Sequence, residues 1–201
     1  MMTKTQTAKR VEIDFMFIDL DICTRCKGTD ESLENAIQTV QGVLEAAGIQ
    51  VIVRKTLVDT EDKAKELGFV SSPTIRVNGR DIALELRESS CASCGEACGC
   101  DGGIDCRVWL YQGKEHTVAP APMIVNAILA AVYGTKEETP MPSQPKTVPE
   151  NLKRFFAATT AKANSTCCGA DEQAACCEPA QKAACCVPVE AAQPQAGCGC
   201  R

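Results

Sequence analysis

Large apolar side chains are confined to part of the chain, and this limits what it can fold into. Regular apolar patterning runs over residues 11–134 and stops. Residues 135–149 hold Pro140, Pro142, Pro145 and Pro149 and read as a linker. Residues 150–163 carry Leu152, Phe155 and Phe156 on one helical face, which suits a short helix docked on the domain. Residues 164–201 are mostly Ala, Gln, Pro and Cys, a composition that cannot bury a core and is expected to stay disordered without a ligand. Residues 1–10 are expected to be a flexible N-terminus. One core is therefore expected, over 11–134.

Within that region the periods alternate. Val11 to Leu20 reads as a strand. Leu33, Ile37, Val40, Leu44 and Ala47 then fall on one helical face that ends at Gly48. Ile49 to Val53 is a second strand, and Asp59 to Leu67 a short helix closed by Gly68. Thr74 to Val77 and Asp81 to Leu86 are strands joined at Asn78-Gly79, a strong hairpin signal. After a cysteine-rich insertion over 91–106, Arg107 to Tyr111 and Glu115 to Val118 form a hairpin about Gly113. A last helix runs from Pro122 to Tyr133. The order β-α-β-α-β-β, then insertion and hairpin, then α, predicts an α/β fold.

The chain has 15 cysteines and one histidine, His116, which reads as a solvated hairpin residue. An odd count cannot pair completely within one chain. No apolar run long enough for a signal peptide or a membrane span follows Lys4, Lys9 and Arg10. The expected compartment is the cytoplasm, where dense cysteine implies metal or redox chemistry. With one histidine, a metal site must be almost all thiolate, which suits soft or borderline ions. A net charge of −5 argues against nucleic acid or an anionic membrane as partner.

Three cysteine groups stand out. Cys23-Thr24-Arg25-Cys26 sits between the first strand and the first helix, where free backbone N–H groups and the helix dipole stabilise thiolate. Cys23 would be an exposed nucleophile and Cys26 a buried resolving thiol. In the insertion, Cys91, Cys94, Cys98 and Cys100, with Cys106 after them, are interleaved with glycines and form a loop able to wrap an ion. Four thiolates suffice for tetrahedral zinc or an iron–sulfur cluster, Cys106 being the fourth ligand or a buried thiol. A redox relay from Cys23 and Cys26 to this loop is the alternative. In the tail, Cys167-Cys168, Cys176-Cys177 and Cys185-Cys186 recur every nine residues, and Cys198-Gly199-Cys200 follows. Adjacent cysteines close a strained disulfide ring but chelate thiophilic ions well.

The first pair, the run Gly68-Phe69-Val70-Ser71-Ser72-Pro73-Thr74 and Asn78-Gly79 together resemble the thioredoxin superfamily. The resemblance implies a cis Pro73 packed beside Cys23, with Cys23, Cys26 and Pro73 as the exchange site. It also implies that the Ser72 backbone pairs with an extended substrate segment. Thr24-Arg25 departs from the Gly-Pro of thioredoxins and the Pro-aromatic of glutaredoxins, and the insertion is foreign to the minimal fold. Asp105 to Tyr111, Ala119 to Ile124 and Val148 to Leu152 make residues of about 11–156 similar to a prokaryotic family catalogued only as a domain of unknown function. Trp109 on its alternating strand reads as core. The tail pairs are similar to those of thioredoxin-like arsenic metallochaperones and of some arsenic-responsive regulators, though the chaperones' N-terminal vicinal pair is absent.

These features lead to the expectation of a thioredoxin-like protein that binds As, Hg, Cu or Cd class ions through paired cysteines, with thiol exchange at Cys23 and Cys26. The alternatives are a thiol–disulfide oxidoreductase without a carrier role and a zinc-stabilised adaptor. Expected partners are a thiol reductant or a partner disulfide protein, and a metal or metalloid transporter or regulator. No organic cofactor is expected.

Overall fold

The structure is a computed structural model that describes residues 9–83, 85–100, 103–134 and 147–164. It forms a mixed α/β arrangement with two sheets. The compact unit that holds both sheets ends at Ala158, and a second unit spans Thr159–Arg201. The linker up to residue 146 and the tail cysteines at 167, 168, 176, 177, 185, 186, 198 and 200 lie outside the described residues. Among the described residues no helix is long and apolar enough to cross a membrane.

The first sheet has the order β2-β1-β3-β4. β1 (Lys9–Phe17) alternates Val11, Ile13 and Phe15 into the core. β2 (Ile49–Leu57) lies parallel to it along its full length, from Lys9↔Ile49 to Phe17↔Leu57. The second strand thus runs past Val53, where apolar patterning ends. As an edge strand its polar residues face solvent, and Arg54 bridges Glu12 and Asp14, both at 2.7 Å. β3 (Thr74–Val77) pairs antiparallel with β1, and β4 (Arg80–Asp81) follows through the Asn78-Gly79 turn. β4 is shorter than the expected 81–86. The Asp81 carboxylate accepts from Ala83 N–H at 2.9 Å and turns the chain away from the strand.

α1 (Thr24–Ala46) connects the parallel strands. It buries Cys26, Thr29, Leu33, Ala36, Val40 and Leu44 in one stripe, and Gly48 at φ 69° reverses the chain into β2. α2 (Glu61–Leu67) is capped by the Thr60 hydroxyl and ended by Gly68 in the left-handed region. It starts at Glu61, not Asp59, because Thr60 takes the cap.

The insertion is a second sheet with a helix inside it, not a loop. β5 (Arg87–Cys91), α3 (Ala92–Cys98), β6 (Ile104–Tyr111) and β7 (Lys114–His116) follow in order, and the sheet runs β5-β6-β7, all antiparallel. Gly95 packs so tightly on Gly103 that a Cβ there would meet the Gly103 Cα at 3.1 Å. α4 (Ala121–Tyr133) buries Met123, Ile124, Ile128 and Val132 and packs on α1. At the start of α5 (Glu150–Asn164), Leu152, Phe155 and Phe156 are buried. The Asn151 amide there exchanges hydrogen bonds with both backbone groups of Asp105 on β6, at 3.0 and 2.7 Å.

Trp109 is fully buried beside Arg107, whose guanidinium carbon stands 5.4 Å from the indole centroid. Buried Arg107 is neutralised by Asp81 at 3.0 Å and donates to the Thr74 hydroxyl at 3.0 Å. This pairing joins the insertion sheet to the first sheet beside Pro73.

Candidate metal centre

Four cysteines from three segments of the chain meet below the insertion. The sulfurs of Cys23, Cys91, Cys94 and Cys106 all lie within 4.8 Å of one another, and all four residues are buried. Each is placed by a different local device. Cys23 follows β1 through a loop in which the Asp19 carboxylate accepts from the N–H groups of Ile22 and Cys23, at 2.6 and 3.2 Å. It then takes the N-cap of α1, where its sulfur accepts from Cys26 N–H at 3.3 Å. Cys91 ends β5 and is the N-cap of α3. Cys94 lies three residues on, and Cys106 on β6 sits 3.2 Å from it, sulfur to sulfur.

The two residues inside the first pair hold the insertion over Cys23. The Arg25 guanidinium donates to the carbonyls of Ser89, Ser90 and Cys106 at 3.2, 2.6 and 3.1 Å. Thr24 N–H donates to the Ser93 hydroxyl at 3.3 Å, which itself lies 3.3 Å from the Cys91 sulfur. Arg25 thus fixes both strands that carry Cys91 and Cys106.

The sulfurs divide into two classes of charge. Hydrogen bonds from Cys106, then from Cys26, hold the Cys23 thiol far below its ordinary value. Cys91 is lowered to about 6, chiefly by the Cys106 thiol. Cys106 is pushed up because it donates to Cys23 and to Cys91 and is desolvated. For Cys94 the Cys106 bond acts downward, but its own bonds to Cys23 and Cys91 outweigh it and the thiol is pushed up. The hydrogen bonds within the cluster thus favour the thiolate form at Cys23 and Cys91 and the thiol form at Cys94 and Cys106.

An all-sulfur donor set of this size fits one tetrahedral ion. Thiolates at about 2.3 Å from zinc stand about 3.8 Å apart, which lies between the 3.2 Å of the close pair and the 4.8 Å limit. The four cysteines could hold a metal ion such as zinc.

The arrangement differs from the expected one in three respects, at Cys23, at the Ser72 backbone and at Cys98 with Cys100. Cys23 is not an exposed nucleophile: Cys23 and Cys26 are both fully buried, because the insertion covers the end of α1. Cys26 is outside the cluster and lies 3.3 Å from the Ser72 hydroxyl, its thiol raised by its bond to Cys23 and by burial. The Ser72–Pro73 bond is cis, but the Ser72 carbonyl accepts from Arg107 N–H at 2.8 Å. The backbone expected to receive a substrate segment thus receives the chain's own β6. Finally, Cys98 and Cys100 are joined to each other as a disulfide, which removes both from the ligand set. With five cysteines in the insertion, spacing alone gave no reason to look for a fourth ligand outside it. The signal for Cys23 is that Cys23-x-x-Cys26 and Cys91-x-x-Cys94 both open helices.

No curated protein and no solved structure matches the chain. The model of a family described as a domain of unknown function (DUF2703) matches residues 11–128, a span that includes both sheets from Val11 onward, the four clustered cysteines and most of α4. The match covers more than half of the sequence, and the chain belongs to this family.

Proposed function

We propose that the protein binds one thiophilic metal ion at Cys23, Cys91, Cys94 and Cys106 and handles such ions on a thioredoxin-like scaffold. The convergence of four buried sulfurs from three segments carries the reading. Thiolates in a low-dielectric site are costly unless compensated, and a divalent cation held by all four sulfurs supplies that compensation. The compact spread favours a single ion over an iron–sulfur core, which places its thiolates on separate irons and farther apart. The strand order β2-β1-β3-β4, the parallel β1–β2 pair and the cis Pro73 beside Cys26 support the scaffold assignment.

The tail pairs Cys167-Cys168, Cys176-Cys177 and Cys185-Cys186, with Cys198 and Cys200, extend the proposal to capture of soft ions of the As, Hg, Cu or Cd class. The partners are then a metal or metalloid transporter or regulator in the cytoplasm. Thiol exchange at Cys23 and Cys26 is the second reading, favoured by the Cys26 N–H bond to the Cys23 sulfur, which stabilises a thiolate. It requires a thiol reductant or a partner disulfide protein to displace the insertion first.

Anaerobic titration of the reduced full chain with Co(II), then Zn(II), tests the metal reading. A tetrathiolate Co(II) spectrum is expected that survives serine replacement of every tail cysteine and is lost with Cys106→Ser. A spectrum that requires the tail cysteines, or none at all, refutes it. Disulfide reductase turnover that is equal with and without bound zinc would favour the exchange reading instead.

A further inference from the structure

We propose that Cys98 and Cys100 form a redox-gated transfer site through which a thiophilic divalent ion reaches the four-thiolate centre; the inference rests on that centre being a metal site. Cys91, Cys94 and Cys98 stand at i, i+3 and i+7 of the cysteine-bearing segment, so they form one stripe along α3. Cys94 and Cys98 are one helical turn apart, with Cβ atoms about 5–6 Å from each other. Cys91 and Cys98 at the two ends of this stripe are each 3% exposed, and Cys100 follows just beyond the end of α3. Cys100 is half-buried and Cys94 is 0% exposed. Among the described cysteines, Cys100 alone is not buried.

Gly99 makes the pair possible. Its φ of 66° ends α3 in the left-handed region and turns the chain so that the Cα atoms of Cys98 and Cys100 lie 5.2 Å apart. When reduced, two sulfurs on one tight turn can chelate one ion. A hydrated ion cannot enter a fully buried site without shedding its waters, and a dithiol with one sulfur partly exposed lets thiolates replace those waters stepwise.

The disulfide is the gate. A dithiol reductant opens it, giving two cysteine thiols and the reductant's own disulfide, with two electrons and two protons passing to Cys98 and Cys100. These thiols lose their protons as they bind the ion. Transfer inward is ligand substitution with no change of oxidation state. The Cys94 thiol gives up its proton as its sulfur displaces Cys98 from the ion, then Cys23, Cys91 and Cys106 complete the shell. The protons released from Cys94 and Cys106 are balanced by those that return to Cys98 and Cys100.

The test is the rate of Zn(II) uptake from a weak chromogenic chelator by the full chain. Tail cysteines are replaced by serine in every sample, and all are kept reduced with a phosphine. The parent chain is compared with Cys98→Ser/Cys100→Ser and with Cys100→Ser alone, which changes only the half-exposed sulfur and guards against misfolding of the double variant. Both variants are expected to reach the parent's final stoichiometry and Co(II) tetrathiolate spectrum, but at least ~10-fold more slowly. Uptake within twofold of the parent with that spectrum intact overturns the transfer site and leaves the buried centre standing. Loss of the spectrum in Cys100→Ser overturns it too, since Cys100 would then belong to the final shell. A parent chain with no tetrathiolate spectrum overturns the centre and this inference together.

Discussion

Two stretches of this chain have the same local plan and opposite outcomes. Cys23-Thr24-Arg25-Cys26 and Cys91-Ala92-Ser93-Cys94 each follow a strand and open a helix, with the first cysteine as N-cap in extended backbone. In α1 the cap sulfur accepts from Cys26 N–H, whereas the Cys91 sulfur makes no capping bond. The third helical position then points in different directions. Cys26 faces the Ser72 hydroxyl and the loop before β3, while Cys94 faces Cys106 on β6. One motif gives a single sulfur to the cluster and the other gives both. The spacing thus fixes where the first sulfur stands, but the element packed against the helix decides what the second one does.

The sharpest way to break the comparison is to swap the fates of the second cysteines. Structural tetrathiolate sites bind zinc with ~10–16 kcal/mol, which divides to about 2.5–4 kcal/mol per ligand. Cys94→Ser is therefore expected to weaken Zn(II) binding by ~100–1,000-fold, while Cys26→Ser leaves it within about threefold, because the Cys26 N–H bond to Cys23 belongs to the backbone. Competition with a chelator of known affinity measures both. Equal losses in the two variants would mean that Cys26 ligates as well.

Protonation sharpens it next. In the metal-free cluster the Cys94 and Cys106 thiols are pushed up by their bonds to the other sulfurs, whereas Cys23 is held far below its ordinary value and Cys91 is lowered to about 6. An ion must displace the Cys94 and Cys106 protons, so affinity rises with pH by about two logarithmic units per unit between roughly pH 6 and 8. Below about 6 the Cys91 proton joins the competition and the slope steepens. Calorimetry in buffers of different ionisation enthalpy counts the released protons. A count near four would mean that neither Cys23 nor Cys91 is charged beforehand.

Much of the scaffold was legible in the sequence because it obeys local rules. Leu33, Val40 and Leu44 of the α1 stripe are buried as their spacing implies, though Ala36 takes the place of Ile37 and Ala47 is exposed. Gly48, Gly68 and the Asn78-Gly79 turn take the conformations their residue types favour. The insertion was not legible as strand, helix and strand. Its buried helical stripe is made of cysteines at 91, 94 and 98 and not of large apolar residues, so the period reads as ligand spacing. The four-cysteine site was half legible. Cys91, Cys94 and Cys106 follow from local density, but Cys23 joins them only through contacts such as Arg25 to Cys106, 81 residues apart. The disulfide between Cys98 and Cys100 depends on the turn at Gly99, and no spacing rule separates it from ligation.

Arg25 gives a smaller effect than a ligand. Its three bonds to backbone carbonyls locate β5 and β6 over Cys23 without touching a sulfur. Partners of this outer kind are worth 10–100-fold in metal affinity, so Arg25→Ala is expected to weaken Zn(II) binding by ~10-fold and leave the tetrathiolate spectrum unchanged in shape. Arg25→Lys, a single point charge, recovers only part of the loss, because one ammonium cannot span three carbonyls. The corresponding residue of the second motif, Ser93, bonds Thr24 and approaches the Cys91 sulfur, so Ser93→Ala should cost less still.

The smallest effect on the metal is expected where the first motif turns away from it. The Ser72 hydroxyl accepts from Ile18 N–H at 3.2 Å and lies 3.3 Å from the Cys26 sulfur, all fully or nearly fully buried. Ser72→Ala strands that amide, at a cost of about 1–3 kcal/mol in folding stability. Zinc affinity should stay within about twofold, since no ligand moves. Urea unfolding of the metal-free chain measures the first quantity and chelator competition the second. A matching loss in affinity would show that Cys26 and its hydroxyl partner position the Cys23 sulfur. The two motifs would then share one role, Cys94 acting as a ligand and Cys26 as the support of one.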